Sequence, residues 1–298
     1  MFATMLEPRL VQTTFFKNVL EALSDLFIEA HFEFSRTGLE LQAIDTSRVA
    51  LVALVLRAEA FNHYLCDRGL SMGLNLADMA KAFRCANNDD IITIKAEEDW
   101  TDTVTFTFES PEDGEILEFD FDFVGSNGVP LEIPEYQESE YQAIVRMPSA
   151  KFMRICKKLS SFGDSGDRDP VVIISVYKER VRSFARGKTG TSTTVCLQTQ
   201  TVDKPKEPTL IEMKEEVSLI FDLKYMNSFS KASTLSDQVT INLSSELPAV
   251  FECKIAELGY IRYYISPRKE GGMQNLGDEM QRIAKEDKMQ NEGDEMQN

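Results

Sequence analysis

Several patterns that would indicate particular protein classes are scarce in this chain of 298 residues. No run of about 18 apolar residues occurs, so we expect no membrane-spanning helix. The opening MFATMLEPRL lacks a basic segment followed by an apolar one, so no secretory signal is expected. The five cysteines are widely spaced and odd in number, which predicts buried free thiols in a reducing compartment.

Recognisable catalytic and metal-binding patterns are also missing from the sequence. With His31 and His63 as the only histidines, neither a Ser–His–Asp arrangement nor a zinc site can be assigned. The segment RGKTG (186–190) lacks the GxxxxGK[ST] spacing of a phosphate loop and is interpreted as a hairpin loop. The acidic run AEEDW (96–100) is interpreted as a solvated strand end. We therefore expect no catalytic residues, no metal and no cofactor.

Charge is plentiful but unbalanced, because the formal net charge is −17. Such a charge argues against general adhesion to nucleic acid, but it leaves room for a local basic patch. Apolar residues recur at helical spacing in four stretches, 13–25, 76–85, 149–160 and 223–231. These four predicted helices hold nine basic and three acidic residues, so the rest of the chain carries −23.

The basic residues fall on the faces opposite the apolar ones in three of the four predicted helices. They are Lys81 with Arg84, then Lys151 with Arg154 and Lys158, and finally Lys224 with Lys231. A solvated face explains one such helix taken alone, but it does not easily explain three in an acidic chain. Ser149 stands where an N-cap is expected, and Phe229 falls out of the apolar register of the last helix.

The rest of the chain mostly alternates with period two and predicts strands, among them 31–45, 171–185 and 249–266. Helix and strands follow one another in the same order in both halves, and LADMAKAFRCA (76–86) aligns with LKYMNSFSKAS (223–233). We expect an α+β fold with largely antiparallel sheets. The expected divisions are an N-terminal domain (1–123), a linker (124–141), a C-terminal domain (142–270) and a low-complexity polar tail (271–298).

Five segments carry a resemblance to a known family: RLVQTTFFKNVLEAL, GLELQAIDTSRVALV, CDRGLSMGLNLADMAKAF, MPSAKFMRICKKLSSFGD and CKIAELGYIRYYISPRKE. From about Met5 to Glu270 the chain resembles proliferating cell nuclear antigen, the family of eukaryotic DNA sliding clamps. The resemblance implies two similar clamp domains and a closed homotrimeric ring, with helices lining the hole and sheets outside. Duplex DNA would pass through the hole without sequence preference, and the protein would act in the nucleus as a polymerase processivity factor.

The resemblance also implies roles for particular residues. The positions that would face DNA are Lys17, Lys81, Arg84, Arg154, Lys157, Lys224 and Lys231. Two positions that are usually lysine read Asn18 and Ser24 here, so the first helix is expected to contact DNA weakly. Lys178 matches the lysine that carries ubiquitin in the family, which connects the protein to translesion synthesis.

Client proteins, DNA polymerases among them, would insert a short helix with paired aromatics into an apolar pocket, and a clamp loader would open the ring. The matching pocket residues are Ile44, Val49, Leu51, Ile133, Pro134, Pro248, Tyr264, Ser266 and Pro267. Val49 and Leu51 could instead face the core. The segment after EIPE and the loop at 163–170 are longer than usual for the family, and Ser266 replaces a usual alanine.

Assembly is expected through two strands, because EILEFDFDF (115–123) places three phenylalanines on one side and could form a sheet edge. The resemblance pairs this strand with TSTTVCLQTQ (191–200) of the next subunit. A subunit of a heterotrimeric checkpoint-type clamp would share the fold and is one alternative. A metal-dependent nuclease using the acidic clusters is another, although no convergent catalytic set supports it.

Overall fold

The computed structural model describes residues 4–11, 13–97, 102–112, 114–124, 133, 136–161, 170–186, 190–198 and 208–268. In these residues the chain is built from two halves with the same order of elements: a strand, a helix, five strands, a helix and three strands. Over the same residues, no helix is long and apolar enough to cross a bilayer.

The first half contains nine strands and two α-helices within the described residues. They are β1 (Thr4–Leu10), α1 (Thr14–Leu23), β2 (Glu29–Ser35), β3 (Gly38–Ile44), β4 (Ala50–Arg57), β5 (His63–Cys66), β6 (Leu70–Asn75), α2 (Leu76–Cys85), β7 (Ile91–Glu97), β8 (Thr103–Glu109) and β9 (Ile116–Asp122).

The second half repeats this order. Its elements are β10 (Ala143–Pro148), α3 (Ser149–Ser160), β11 (Val171–Tyr177), β12 (Arg180–Arg186), β13 (Thr191–Leu197), β14 (Leu210–Met213), β15 (Val217–Asp222), α4 (Leu223–Ala232), β16 (Gln238–Leu243), β17 (Ala249–Ile255) and β18 (Gly259–Ile265). A 3-10 turn at Glu138–Glu140 precedes β10. The repeated order confirms the α+β interpretation.

The four helices form where the apolar spacing predicts them, with two local differences. Ser149 is the first helical residue rather than the N-cap, which is Pro148. Phe229 is fully buried, so the prediction that it falls outside the apolar face of the last helix was wrong. Helix α4 buries a broad face that also takes in Tyr225 and Ala232, and Phe229 falls within that face.

The long alternating stretches are hairpins rather than single strands. Residues 31–45 divide into β2 and β3, 171–185 into β11 and β12, and 249–266 into β17 and β18. Gly38 begins β3 at a φ of 143°, and a Cβ there would lie 2.0 Å from the backbone oxygen of Leu56. This position therefore requires glycine, because only glycine tolerates both the φ and the close approach.

The strands form three antiparallel sheets. The first has the order β5-β1-β7-β8-β9, and the second has the order β13-β12-β11-β15. The third crosses between the two halves with the order β14-β10-β16-β17-β18-β4-β3-β2-β6. In that sheet β18 pairs with β4 over seven residues, from Gly259 opposite Leu56 to Ile265 opposite Ala50.

One continuous apolar core fills the space between the sheets and the helices. It contains the buried faces of all four helices, for example Phe16, Phe83, Phe152 and Phe229. All five cysteines are free thiols. Four of them are buried as expected, whereas Cys85 at the end of α2 is exposed.

Candidate functional site

The helices form one layer against the sheets, and neighbouring contacts give the order α2–α1–α4–α3. Helices α1 and α4 meet in the middle of this layer, where the two halves of the chain join. Helices α2 and α3 lie at its two ends. The side chains that project from this layer decide what kind of ligand it can face.

The α3 end of the layer is the most basic. Arg154, Lys157 and Lys158 are exposed, and no described carboxylate forms an ion pair with Arg154 or Lys157. Lys151 is half-buried and donates a 2.6 Å hydrogen bond to the hydroxyl of Thr209. Three cations of α3 are therefore directed to solvent and one is used inside the protein.

The α2 end carries two exposed cations, Lys81 and Arg84. Lys81 forms an ion pair of 2.8 Å with Asp78, one turn earlier on the same helix. Both side chains are more than half exposed, so this pair is worth little and is easily exchanged for another anion. Asn75 caps the helix by accepting hydrogen bonds from the backbone N–H groups of Ala77 and Asp78.

The middle of the layer differs, because its cations have partners within the chain. The Lys17 ammonium donates to the backbone oxygen of Ala86 at 2.5 Å and to Asn88 Oδ1 at 3.2 Å, which ties α1 to the end of α2. Lys231 on α4 donates to Asp25 Oδ2, just beyond the C-terminal end of α1, at 2.6 Å.

Two further residues complete the middle of the layer. Glu21 Oε1 lies 4.0 Å from the Lys231 ammonium, one helical turn before Asp25. Lys224 is exposed and lies 4.9 Å from the ring of its neighbour Tyr225. Of the seven cations that the resemblance predicts to face DNA, Lys17, Lys81 and Lys231 thus have hydrogen-bonding partners among described residues.

On the opposite face, three of the predicted pocket residues come together through strand register. Ile44 lies opposite Leu51, and Leu51 lies opposite Tyr264 on the next strand. Ile44 is 42% exposed and Leu51 is half-buried, whereas its neighbours Ala50 and Val52 are buried in the core. Leu51 therefore faces outward, which answers the alternative that it faces the core.

The other pocket residues lie around this row. Val49 is half-buried and packs partly against the main core, and its backbone oxygen accepts a 2.9 Å hydrogen bond from Ser266. Ile133, Pro248 and Pro267 are half-buried, and Ser266 is exposed. Pro134 lies outside the described residues.

A buried hydrogen-bond network that was not predicted from the sequence fixes the turn beside this pocket. Asp45 is 4% exposed and accepts hydrogen bonds from the backbone N–H groups of Val49 and Ala50, both at 2.8 Å. The hydroxyls of Ser47 and Tyr225 also donate to its carboxylate, Tyr225 at 2.8 Å. Burial alone would raise the pKa of Asp45, but these hydrogen bonds lower it.

The local part of this network has a sequence signal, because an Asp ahead of Thr-Ser is typical of a side-chain-capped turn. The tie to Tyr225 has none, since the two residues are 180 positions apart. Tyr225 belongs to α4, so the network joins the turn beside the pocket to the helix layer.

The C-terminal end of the linker is held against the outer sheet. Arg146 Nη2 bonds the Glu138 carboxylate at 2.9 Å, and its Nη1 bonds Glu212. Tyr141 is buried beside Tyr136, with the ring centroids 6.4 Å apart. Burial raises the pKa of the Tyr141 hydroxyl, which therefore stays protonated. These contacts therefore fix the C-terminal end of the linker against the sheet, close to the pocket.

Six strands stand at the ends of the three described sheets, namely β5, β6, β9, β13, β14 and β15. The two that are predicted to join subunits are β9 and β13. Both carry unusually exposed apolar side chains, since Ile116 is 59%, Val195 47% and Leu197 58% exposed. The predicted edge at 115–123 is confirmed. Phe119, Phe121 and Phe123 share one side of it and pack against the core.

The lysine that matches the ubiquitin acceptor is accessible. Lys178 is exposed and lies in the two-residue turn between Tyr177 and Arg180, with a φ of 50°. The other segments singled out in the sequence, 163–169, Trp100, Gly187–Thr189 and the tail 271–298, lie outside the described residues.

Family models match both halves of the chain. The model described as "Proliferating cell nuclear antigen, N-terminal domain" matches residues 5–127. The model described as "Proliferating cell nuclear antigen, C-terminal domain" matches residues 133–268.

Proposed function

Because the chain belongs to the proliferating cell nuclear antigen family of DNA sliding clamps, we propose that it assembles head to tail into a homotrimeric ring around duplex DNA. The ring would serve DNA replication and repair as a polymerase processivity factor, and it would act in the nucleus. It would carry no chemistry of its own, and partners would bind its outer face.

The internal repeat carries this proposal. When the two halves are aligned by their order of elements, β9 corresponds to β18 and β13 corresponds to β4. Inside the chain β18 and β4 pair and join the two halves, whereas β9 and β13 are both edges. Pairing β9 of one subunit with β13 of the next would repeat the internal junction, and repeated head-to-tail junctions close into a ring.

Charge on the outer sides of the two edges supports the same pairing. The outward side chains of β9 include Glu118, Asp120 and Asp122. The strand next to β13 places Arg180 and Arg182 directly opposite Leu197 and Val195. The acidic side chains of β9 would attract the arginines beside β13. Pairing of β9 with a second copy of β9 would be disfavoured by repulsion between like charges.

In such a ring the helix layer would face the hole, and its exposed cations would contact phosphate. Phosphate contacts position a protein on DNA without reading sequence, which suits a protein that must slide. The outer pocket around Ile44, Leu51 and Tyr264 would take the client helix, whose aromatic anchors would supply most of the affinity. A clamp loader would open one junction.

Two measurements test the proposal. The purified chain should have a mass near three times 33.8 kDa, whereas a checkpoint-type subunit should remain monomeric without its partners. The ring should bind a linear duplex with open ends and lose that binding when both ends are blocked beforehand. Binding that persists on blocked DNA would mean that the protein sits beside the duplex rather than around it.

A further inference from the structure

Cations are distributed unevenly along the helix layer. The two outer helices, α2 and α3, carry six cations and one carboxylate, whereas the two central helices, α1 and α4, carry three cations and one carboxylate, Glu21. A further carboxylate, Asp25, follows two residues after the end of α1. Glu21 and Asp25 are both exposed, Glu21 in α1 and Asp25 just beyond its C-terminal end. They lie on the side of the layer from which DNA would approach.

The central carboxylates act on one particular cation. Asp25 accepts a hydrogen bond from Lys231 at 2.6 Å, and Glu21 lies 4.0 Å from the same ammonium. Lys231 is only 36% exposed by its side chain, so it has less freedom than Arg154 to turn toward another anion. Together with Arg84 these three residues line a cavity of about 500 Å³ at the junction of α1, α2 and α4.

A DNA phosphate and these carboxylates would compete for Lys231, because turning its ammonium toward a phosphate would cost the contact with Asp25. Glu21 and Asp25 would also repel a phosphate that approached the same place. The surroundings of Lys231 at the internal junction are therefore a poor phosphate site, although the resemblance assigns Lys231 to DNA.

The junction between subunits has the opposite character. If β9–β13 pairing repeats the β18–β4 junction, α2 of one subunit lies beside α3 of the next, as α1 lies beside α4 within the chain. Lys81 would then stand next to Arg154, Lys157 and Lys158 of the neighbouring subunit, whereas Arg84 lies on the side of α2 that faces α1. Four exposed cations would meet there, with Asp78 as the only carboxylate of the two described helices.

We propose that DNA backbone contacts concentrate at the three junctions between subunits, and that Glu21 and Asp25 keep the internal junction out of contact by holding Lys231. This inference rests on the proposed ring. In this arrangement the two carboxylates compete with DNA phosphate for Lys231. Zones of strong and weak DNA contact would therefore alternate around the lining of the ring.

The test is the salt dependence of binding to a short linear duplex with open ends, measured by fluorescence anisotropy. Each phosphate contact contributes about 0.9 to the slope of log K against log salt. Arg154→Ala with Lys157→Ala should flatten the slope by at least about 0.9, and Lys231→Ala should change it by much less. Glu21→Gln with Asp25→Asn should steepen it by about 0.9 or more.

The decisive comparison places Lys231→Ala in the chain that also carries Glu21→Gln and Asp25→Asn. In that background Lys231→Ala should cancel the steepening of the salt slope, because only the released lysine can bind the additional phosphate. Glu59→Gln with Glu257→Gln removes the same charge from exposed positions outside the helix layer, and it should leave the slope unchanged.

Two results would overturn the inference. One is a Lys231→Ala effect in the unmodified chain as large as that of Arg154→Ala with Lys157→Ala. The other is an equal gain from the Glu59/Glu257 control, which would mean that only net charge matters. A wild-type chain that is monomeric would refute the ring itself, and a trimeric mass in every variant separates that failure from the others.

Discussion

Leu197 at the edge strand β13 offers the sharpest test of the subunit junction, through substitution by proline. Gln198 donates its backbone N–H to the backbone oxygen of Glu179, immediately before β12, at 2.8 Å. Because alternate residues of an antiparallel strand turn their backbone groups to opposite sides, the N–H of Leu197 points away from β12. Proline there removes a donor that the chain itself does not use, so the subunit should stay folded.

The expected loss follows from two contributions. Full burial of a leucine side chain contributes about 1.5–3 kcal/mol, and Leu197 is 58% exposed in the single chain, so its burial at a junction is worth about 1–2 kcal/mol. A backbone hydrogen bond adds about 0.5–1.5 kcal/mol. Each junction should therefore lose about 2–3 kcal/mol, and a ring of three junctions about 6–9 kcal/mol.

The assay is sedimentation or light scattering over a range of protein concentrations. Because three monomers form one ring, the concentration of half-assembly should rise by the square root of the change in the equilibrium constant, about 10²- to 10³-fold. Leu197→Ala keeps the N–H and should shift it less. Ile28→Ala is the matched control, since Ile28 is 57% exposed but lies on neither edge. A folded Leu197→Pro chain with an unchanged midpoint would refute the β9–β13 junction.

Three further predictions concern the outer face. Ile133→Arg places a charge beside the apolar pocket and should abolish binding of a peptide with the QxxLxxFF pattern in calorimetry. The mass of the assembly should stay the same, and full-strength peptide binding would exclude the site. Lys178→Arg should abolish damage-induced ubiquitination without impairing replication, and continued modification would move the acceptor elsewhere. Tyr225→Phe removes a hydrogen bond to the Asp45 carboxylate and should cost about 1.5–3 kcal/mol of unfolding free energy near neutral pH. The folded-state pKa of Asp45 lies below its usual value of 3.8, so the stabilisation is present above that pH and is lost as the pH falls through the lowered pKa; a Tyr225→Phe deficit that does not shrink in acid would show that the carboxylate is not involved.

Much of the fold follows from the sequence because its signals are local. Helical spacing of apolar residues places α1 to α4 within one or two residues of their observed ends, since one buried face suffices to define a helix. Alternation identifies the strands, and the repeated order of elements indicates two similar halves. Alternation does not mark the turns inside 31–45 and 171–185, because a two-residue turn can preserve the apparent period across a hairpin.

The sequence also determines that basic residues lie on the outer faces of three helices, because helix geometry fixes which side a residue occupies. Only the tertiary structure decides which of those cations have partners. Lys231 meets Asp25 across 206 positions, and Tyr225 meets Asp45 across 180. The same holds for the edges, since β18 pairs with β4 inside the chain whereas β9 and β13 have no second neighbour among the described strands. Apolar periodicity indicates which face of a segment packs against the core, but pairing between distant segments depends on the tertiary fold of the whole chain.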